Sequence, residues 1–184
     1  MVHLDVVMSS SLLPRGIQHI GVTVPDLDAA TRFLVEGLGA EVVYDGLTAE
    51  DEPRQGAEVE RQLSLPKGAA IHKQRMIRIG NGPNLEVFEI SGQQSAEAGL
   101  TDLGLNYMCF YCDDIDSALA RLVAAGGQAL SEVHENSRYA DSEGEGSVHV
   151  KAPWGMLVEF QSIPAGHHYL EGCTTRVSMP DPRP

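Results

Sequence analysis

Basic residues are scarce in this chain: 13 Lys and Arg stand against 26 Asp and Glu, a formal charge of −13 over 184 residues. That imbalance argues against a nucleic-acid or anionic-membrane partner, because polyanions are repelled at long range. Long apolar runs are missing as well. No stretch approaches the ~18 apolar residues a membrane span needs. The opening segment MVHLDVVMSSSLLPRG has no basic start, and Asp5 and Ser9–Ser11 interrupt its apolar residues. No signal peptide is expected there, and residues 1–16 read as a disordered leader. The cysteine count of three is odd, which rules out a full disulfide framework and makes a reducing cytoplasm the expected location. Cys109 and Cys112 form a C-x-x-C, but residues three apart on a strand point to opposite faces and cannot grip one ion together.

The chain does contain a repeat. IQHIGVTVPDLDAATRFL, residues 17–34, runs in step with LNYMCFYCDDIDSALARL, residues 105–122. Asp26, Asp28, Ala30 and Leu34 answer Asp114, Asp116, Ala118 and Leu122, each 88 positions on (114 − 26 = 88). Each copy opens with a strand, HIGVTV and YMCFYC. In the first, Ile20, Val22 and Val24 share one face while His19, Gly21 and Thr23 share the other. Such a strand buries one side under a helix and turns the other to a cleft. Pro25-Asp26-Leu27-Asp28 and Asp113-Asp114-Ile115-Asp116 each put a carboxylate where it can cap the helix that follows, whose apolar residues recur every three or four positions. Gly37 with Gly39, and Gly126 with Gly127, are expected to stop those helices. GAEVVYD and GQALSEV then resume as strands.

Each copy closes on an apolar strand carrying one inward acid, NLEVFEI at 84–90 and MLVEFQS at 156–162. Aligning Glu86 with Glu159 gives an offset of 73, so copy one holds 88 − 73 = 15 additional residues. The acidic stretch 48–62 has about that size and little periodicity, and reads as an inserted loop. The expected organisation is a βαβββ module over 17–92, a polar connector over 93–104, a second module over 105–163 and a C-terminal tail over 164–184. Neither module is large enough for a comfortable core of its own, so the two should pack together.

HIGVTVPDLDAATRFLVEGLG, GNGPNLEVFEI, DDIDSALARLVAAGG and APWGMLVEFQS, in that order, resemble the vicinal oxygen chelate superfamily. That superfamily takes in glyoxalase I, methylmalonyl-CoA epimerase, extradiol dioxygenases and the fosfomycin and bleomycin resistance proteins. The resemblance implies an α+β fold: two paired βαβββ modules forming a curved, eight-stranded, partly open barrel-like sheet with the helices outside. It also implies a divalent metal held by the first and last strands of both modules, at positions filled here by His19, Glu86, Tyr107 and Glu159. His19, Glu86 and Glu159 are ligands suited to Zn, Ni, Co, Mn or Fe. A homodimer is a further implication.

The residues bear on that expectation independently. A carboxylate in an apolar strand is costly to bury without a cation or hydrogen bonds. Two in one cleft repel unless a proton or a cation lies between them. Glu89, three residues beyond Glu86, points the other way, towards the helix layer or the strand's end, and reads as an exposed end-of-strand charge. Tyr107 departs from the pattern, since a neutral phenol is a poor ligand for zinc or nickel. Three cases stay open: a metal on His19, Glu86 and Glu159 with Tyr107 donating a hydrogen bond, ferric iron with Tyr107 bound, or no metal at all with Tyr107 as a binding wall. Only one histidine among these positions argues against an extradiol dioxygenase, which needs two histidines and a carboxylate.

The expected function is a glyoxalase- or epimerase-like lyase or isomerase acting on a small oxygenated substrate, by carbonyl polarisation and carboxylate proton transfer. Glu86 and Glu159 are candidate bases and Tyr107 a candidate acid or oxyanion donor. Arg78 and Trp154 are candidate ligand-binding residues, with a strand-end charge and core packing as their alternatives. The competing reading is a non-catalytic small-molecule binding protein with a degraded metal site.

Overall fold

The structure is a computed structural model that describes residues 16–92, 99–136 and 139–181. The leader before Gly16 and half of the connector lie outside the described residues. Module 1 runs β1 (His19–Val24), α1 (Leu27–Leu38), β2 (Glu41–Leu47), β3 (Arg54–Gln55), α2 (Ala57–Leu63), β4 (Ala70–Arg78) and β5 (Asn84–Ser91). Module 2 runs β6 (Tyr107–Tyr111), α3 (Ile115–Ala124), β7 (Gln128–Ala129), β8 (Gly146–Lys151) and β9 (Leu157–Ser162).

The two modules share one topology. The strand order is β1-β5-β4-β2 in one sheet and β6-β9-β8-β7 in the other, with β3 added beside β4. β1 runs parallel to β5, and β6 parallel to β9, because a helix crosses over after each first strand. These are two mixed sheets of five and four strands, with no closed barrel among the described residues. The eight expected strands are present, and the ninth, β3, falls inside the 48–62 insertion together with most of α2. That stretch is therefore not the plain loop its composition implied. α2 buries none of its residues, so no apolar periodicity marks it.

Local chemistry explains the helices. Asp26 caps α1 by accepting from the N–H groups of Asp28 and Ala29, and Asp114 caps α3 by accepting from Ser117. Glu89 adds to the first cap: its Oε2 accepts from the Leu27 N–H at 2.8 Å, where the positive helix end favours an anion. It faces the helix layer and is only 25% exposed, so it is a cap partner rather than the exposed strand-end charge expected. Gly39, at φ 63°, ends α1 in the left-handed conformation. Gly37 does not stop the helix; it lies within it, under α3.

One core joins the halves. Leu27, Phe33 and Leu34 of α1, Leu122 of α3, Ile77 and Val87 of module 1 and Val148, Val158 and Phe160 of module 2 belong to a single buried cluster. Arg121 of α3 donates to the carbonyls of Val35 and Glu36 at the free C-terminal end of α1. The tail crosses between modules, where Asn81 Nδ2 donates to the Asp181 carbonyl at 2.8 Å. No helix among the described residues is long and apolar enough to cross a membrane. The helices cover one face of each sheet, and the opposite faces carry the candidate site.

Candidate functional site

On the open face of module 1, His19, Gly21 and Thr23 lie in register with Asn84, Glu86 and Phe88. Partners in a ladder project from the same side. His19 Nε2 stands 3.4 Å from Glu86 Oε2, with the imidazole 42% exposed and the carboxylate 21%. Gln74 of β4 donates its amide to Glu86 Oε1, and the Gln18 amide oxygen meets His19 Nδ1. His19 is thus no buried core histidine, and both ends of the Glu86 carboxylate have a polar partner. Glycine at 21 keeps this face shallow, since a side chain there would lie against Phe88.

The 3.4 Å separation is informative. Two donors each about 2.1 Å from a tetrahedral ion stand ~3.4 Å apart, so the His19–Glu86 pair fits a divalent cation in both spacing and donor type. Among the described residues, no three His, Cys, Asp or Glu side chains converge to hold an ion. Module 1 therefore offers half of a coordination shell.

Module 2 offers a second polar face. Cys109 and His149 flank Glu159 in register, one on β6 and one on β8. The Cys109 thiol bonds to Glu159; desolvation of its sulfur, and then the Glu159 charge, push it up to about 12. It stays a protonated donor at neutral pH and is no nucleophile. Tyr107 meets the ring of His149 edge-on, 5.4 Å between centroids. Gln161 continues the face and donates to Asn136 Oδ1 at 3.4 Å.

The remaining candidates lie elsewhere. Arg78 is paired with Glu41 at 2.9 Å, at the exposed end of β4. Trp154 packs edge-on against Phe33 at 5.3 Å, on the helix side of the sheets. There it walls a groove of about 290 Å³ with Arg32, Glu36 and Pro153, and its indole N–H has no partner among the described residues. His168 of the tail bonds to the Asp141 carbonyl at 2.6 Å, so it is tied to module 2. Sequence reasoning passed over Gln74, Cys109 as the Glu159 partner, and His149. Alternation along β4 and β8 places Gln74 and His149 on the open faces, and that signal was available; their contacts needed the register between strands.

Comparisons with known proteins bear on the family and the fold. Residues 16–160 match the family described as the Glyoxalase/Bleomycin resistance protein/Dioxygenase superfamily. A 2-epi-5-epi-valiolone epimerase from Actinomyces sp is 29% identical over 168 residues, covering 90% of this chain and 89% of that protein. An ethylmalonyl-CoA/methylmalonyl-CoA epimerase from Cereibacter sphaeroides is 28% identical over 151 residues, covering 80% and 97%. Among solved structures, a glyoxalase family protein from Bacillus cereus superposes with TM-score 0.65 at 16% identity, covering 88% of this chain and all of that one. A fosfomycin resistance protein from Listeria monocytogenes gives TM-score 0.55 at 18% identity, covering 82% and 94%. The structures show the fold, and the two named relatives support an isomerase- or epimerase-like function.

Proposed function

This chain belongs to the Glyoxalase/Bleomycin resistance protein/Dioxygenase superfamily, and on that premise we propose that it is a metal-dependent epimerase. Its reaction inverts a carbon next to a carbonyl in a small oxygenated substrate. The observation that carries the reading is the His19–Glu86 pair, 3.4 Å apart on an open sheet face and anchored through Gln74. His19 and Glu86 would hold the cation. Glu159 lies on the other module's outward face and does not converge with them within one chain, so it would reach the cation as third ligand from a second copy of the chain. A divalent ion held there would supply Lewis-acid polarisation of the carbonyl oxygen.

The chain's own groups do the rest. Glu86 is held at both oxygens, which suits a fixed ligand. Glu159 meets a thiol, a weak donor, so its carboxylate is the freer of the two to leave its place and take the proton from carbon. Tyr107, as the acid, then gives its hydroxyl proton to the opposite face of the carbon. Exchange with solvent takes the proton from Glu159 and restores the one on Tyr107, so atoms and electrons balance. A cyclic polyhydroxy ketone and an acyl-CoA are the two substrate types named by the relatives. The reading includes association of two copies of the chain: β2 is an edge strand on which Val42, Val43 and Tyr44 are 46%, 54% and 53% exposed.

Incubation with 2-epi-5-epi-valiolone or with ethylmalonyl-CoA in D₂O tests the reaction directly. One of them should gain a single deuteron at the carbon next to the carbonyl. Glu159→Gln should slow that exchange by about 10² to 10⁴, the range of a lost general base. Binding of a substrate with no exchange would favour the non-catalytic binding protein instead.

A further inference from the structure

The insertion that module 1 has and module 2 lacks brings an arginine to the rim of the open face. β3 pairs with β4 so that Arg54 lies opposite Ile71, and Ile71 lies opposite Ile90 of β5. A register shift between Ile71 and Lys73 puts Ile71 level with the row Glu86, Phe88 and Ile90, which alternation places on the open side. Partners in a ladder project together, so Arg54 stands on the side that carries His19 and Glu86. There its Nη1 donates to Gln74 Oε1 at 3.2 Å, while the nitrogen of the same amide donates to Glu86. A side chain at Gly46 would lie 3.2 Å from the amide carbon of Gln74, so the bare backbone of β2 leaves room for this link.

The charge of Arg54 is unanswered. Lys73, Arg75 and Arg78 of β4 each pair with a carboxylate, but among the described residues no carboxylate pairs with Arg54. This happens in a chain with 26 acidic residues. Acids of the insertion itself are engaged elsewhere: Asp51 accepts from Thr48, Glu58 from Gln62, and Glu60 from the Gly68 N–H. The bond to Gln74 uses one edge of the exposed guanidinium and leaves the rest of its planar fork free. Such a fork matches a carboxylate or a phosphate bidentately.

We propose that Arg54 binds an anionic group of the substrate, a carboxylate or a phosphate, so that the site selects charged carbonyl compounds over neutral ones. This rests on the epimerase reading above and narrows its substrate class. One amide separates the guanidinium from Glu86, so an anion on Arg54 stands within a small acid's length of that carboxylate. The formal charge of −13 repels an anionic substrate at long range, and a cation at the rim offsets that repulsion where it matters. Of the substrate types that the relatives act on, the acyl-CoA carries a carboxylate and phosphates, and the polyhydroxy ketone carries no charge.

Calorimetric titration of the full-length chain with ethylmalonyl-CoA, butyryl-CoA and 2-epi-5-epi-valiolone tests the assignment. Arg54→Gln should weaken ethylmalonyl-CoA binding about tenfold to a hundredfold, the span of a lost charge-assisted bond. Its affinity relative to 2-epi-5-epi-valiolone should fall by the same factor. Arg54→Lys should recover only part of the loss, because an ammonium keeps the charge without the fork. Butyryl-CoA has the phosphates of coenzyme A and no carboxylate. A loss confined to ethylmalonyl-CoA assigns the carboxylate to Arg54, and an equal loss for both esters assigns a phosphate. Unchanged affinity for ethylmalonyl-CoA in Arg54→Gln overturns the anion site. So does an equal loss for the neutral ketone, which would show that Arg54 acts through Gln74. Arg54-dependent binding with no deuterium exchange leaves the anion site standing and overturns the epimerase reading. Exchange into 2-epi-5-epi-valiolone by wild-type protein that binds neither ester does the reverse, and binding of none of the three overturns both.

Discussion

At the scale of single residues, position along a strand determined more than residue type. His19, Glu86 and Glu159 are ordinary polar residues whose alternation with buried neighbours puts them on open faces. Glu89 has the same side chain as Glu86, three residues on, and caps a helix instead. Gln74 illustrates how an uncharged residue acts through a charged one. Its amide holds Glu86 Oε1, so Gln74→Leu should lower kcat about tenfold to a hundredfold, the usual effect of losing a group that orients a ligand. KM should change little, and metal affinity measured alongside should fall by a similar factor. An unaltered kcat would mean that Glu86 keeps its orientation without help.

Among the elements, α1 is tied down at both ends and crossed by α3 near its C-terminal end. At its start, Lys73 of β4 pairs with Asp28 at 3.1 Å and with Glu89 at 3.2 Å, and Arg75 pairs with Asp28 and Asp45. The hydrogen bond to Asp28, then that to Glu89, raises the Lys73 ammonium above its ordinary 10.5, and the same Lys73 bond lowers Asp28 below 3.8. The folded chain holds the lysine proton more tightly than the unfolded chain. That stability is fully present below about pH 10 and is lost as pH rises through the raised value. It holds the Asp28 proton less tightly, so that contribution is present above about pH 4 and is lost as pH falls through the lowered value. Lys73→Met should therefore lower the melting temperature by a roughly constant amount from about pH 5 to pH 9, with the gap closing beyond both limits. The effect should stay below about 1 kcal/mol, since Asp28 is half exposed and water screens the pair.

The helix crossing depends on Gly37. A methyl group there would lie 2.5 Å from Leu122 Cδ1 and 3.4 Å from Ala125 Cβ. Leu122 is fully buried, so its tip has no free space to take. Alanine gains about 1 kcal/mol in helix propensity, but overpacking costs about 1–3 kcal/mol. Gly37→Ala should thus lower stability to denaturant by roughly 1 kcal/mol net, and a gain in stability would show that α1 and α3 slide apart cheaply.

Seen whole, the molecule is two copies of one module sharing a core on the helix side, with their polar faces turned outward from it. The free edge at β2, with Val42, Val43 and Tyr44 exposed, is the kind of strand edge that soluble proteins usually protect. Sedimentation of the purified chain should accordingly give twice the mass of one copy. Val43→Lys, a charge placed on that edge, should shift the population towards single chains, and a monomeric wild type would remove the paired state from the proposal.

Much of this architecture could be read from the residues. The 88-residue repeat, the alternation in HIGVTV and the capping aspartates identified the duplicated βαβββ unit, because period and capping are local properties. They also identified the open-face side chains one strand at a time. The helix in the insertion left no such sign because α2 buries nothing, and burial is what leaves a periodic trace. Gly37 reads as a stop, since a glycine near a helix end looks alike whether it caps or accommodates a neighbour. Only the tertiary structure decided what crosses from strand to strand: that His19 meets Glu86, that Gln74 anchors it, and that His149 stands beside Glu159 and Tyr107. Those contacts depend on register between segments far apart in the chain. Alternation specifies the face a side chain occupies, while the level at which two strands align follows from the packing of the whole sheet.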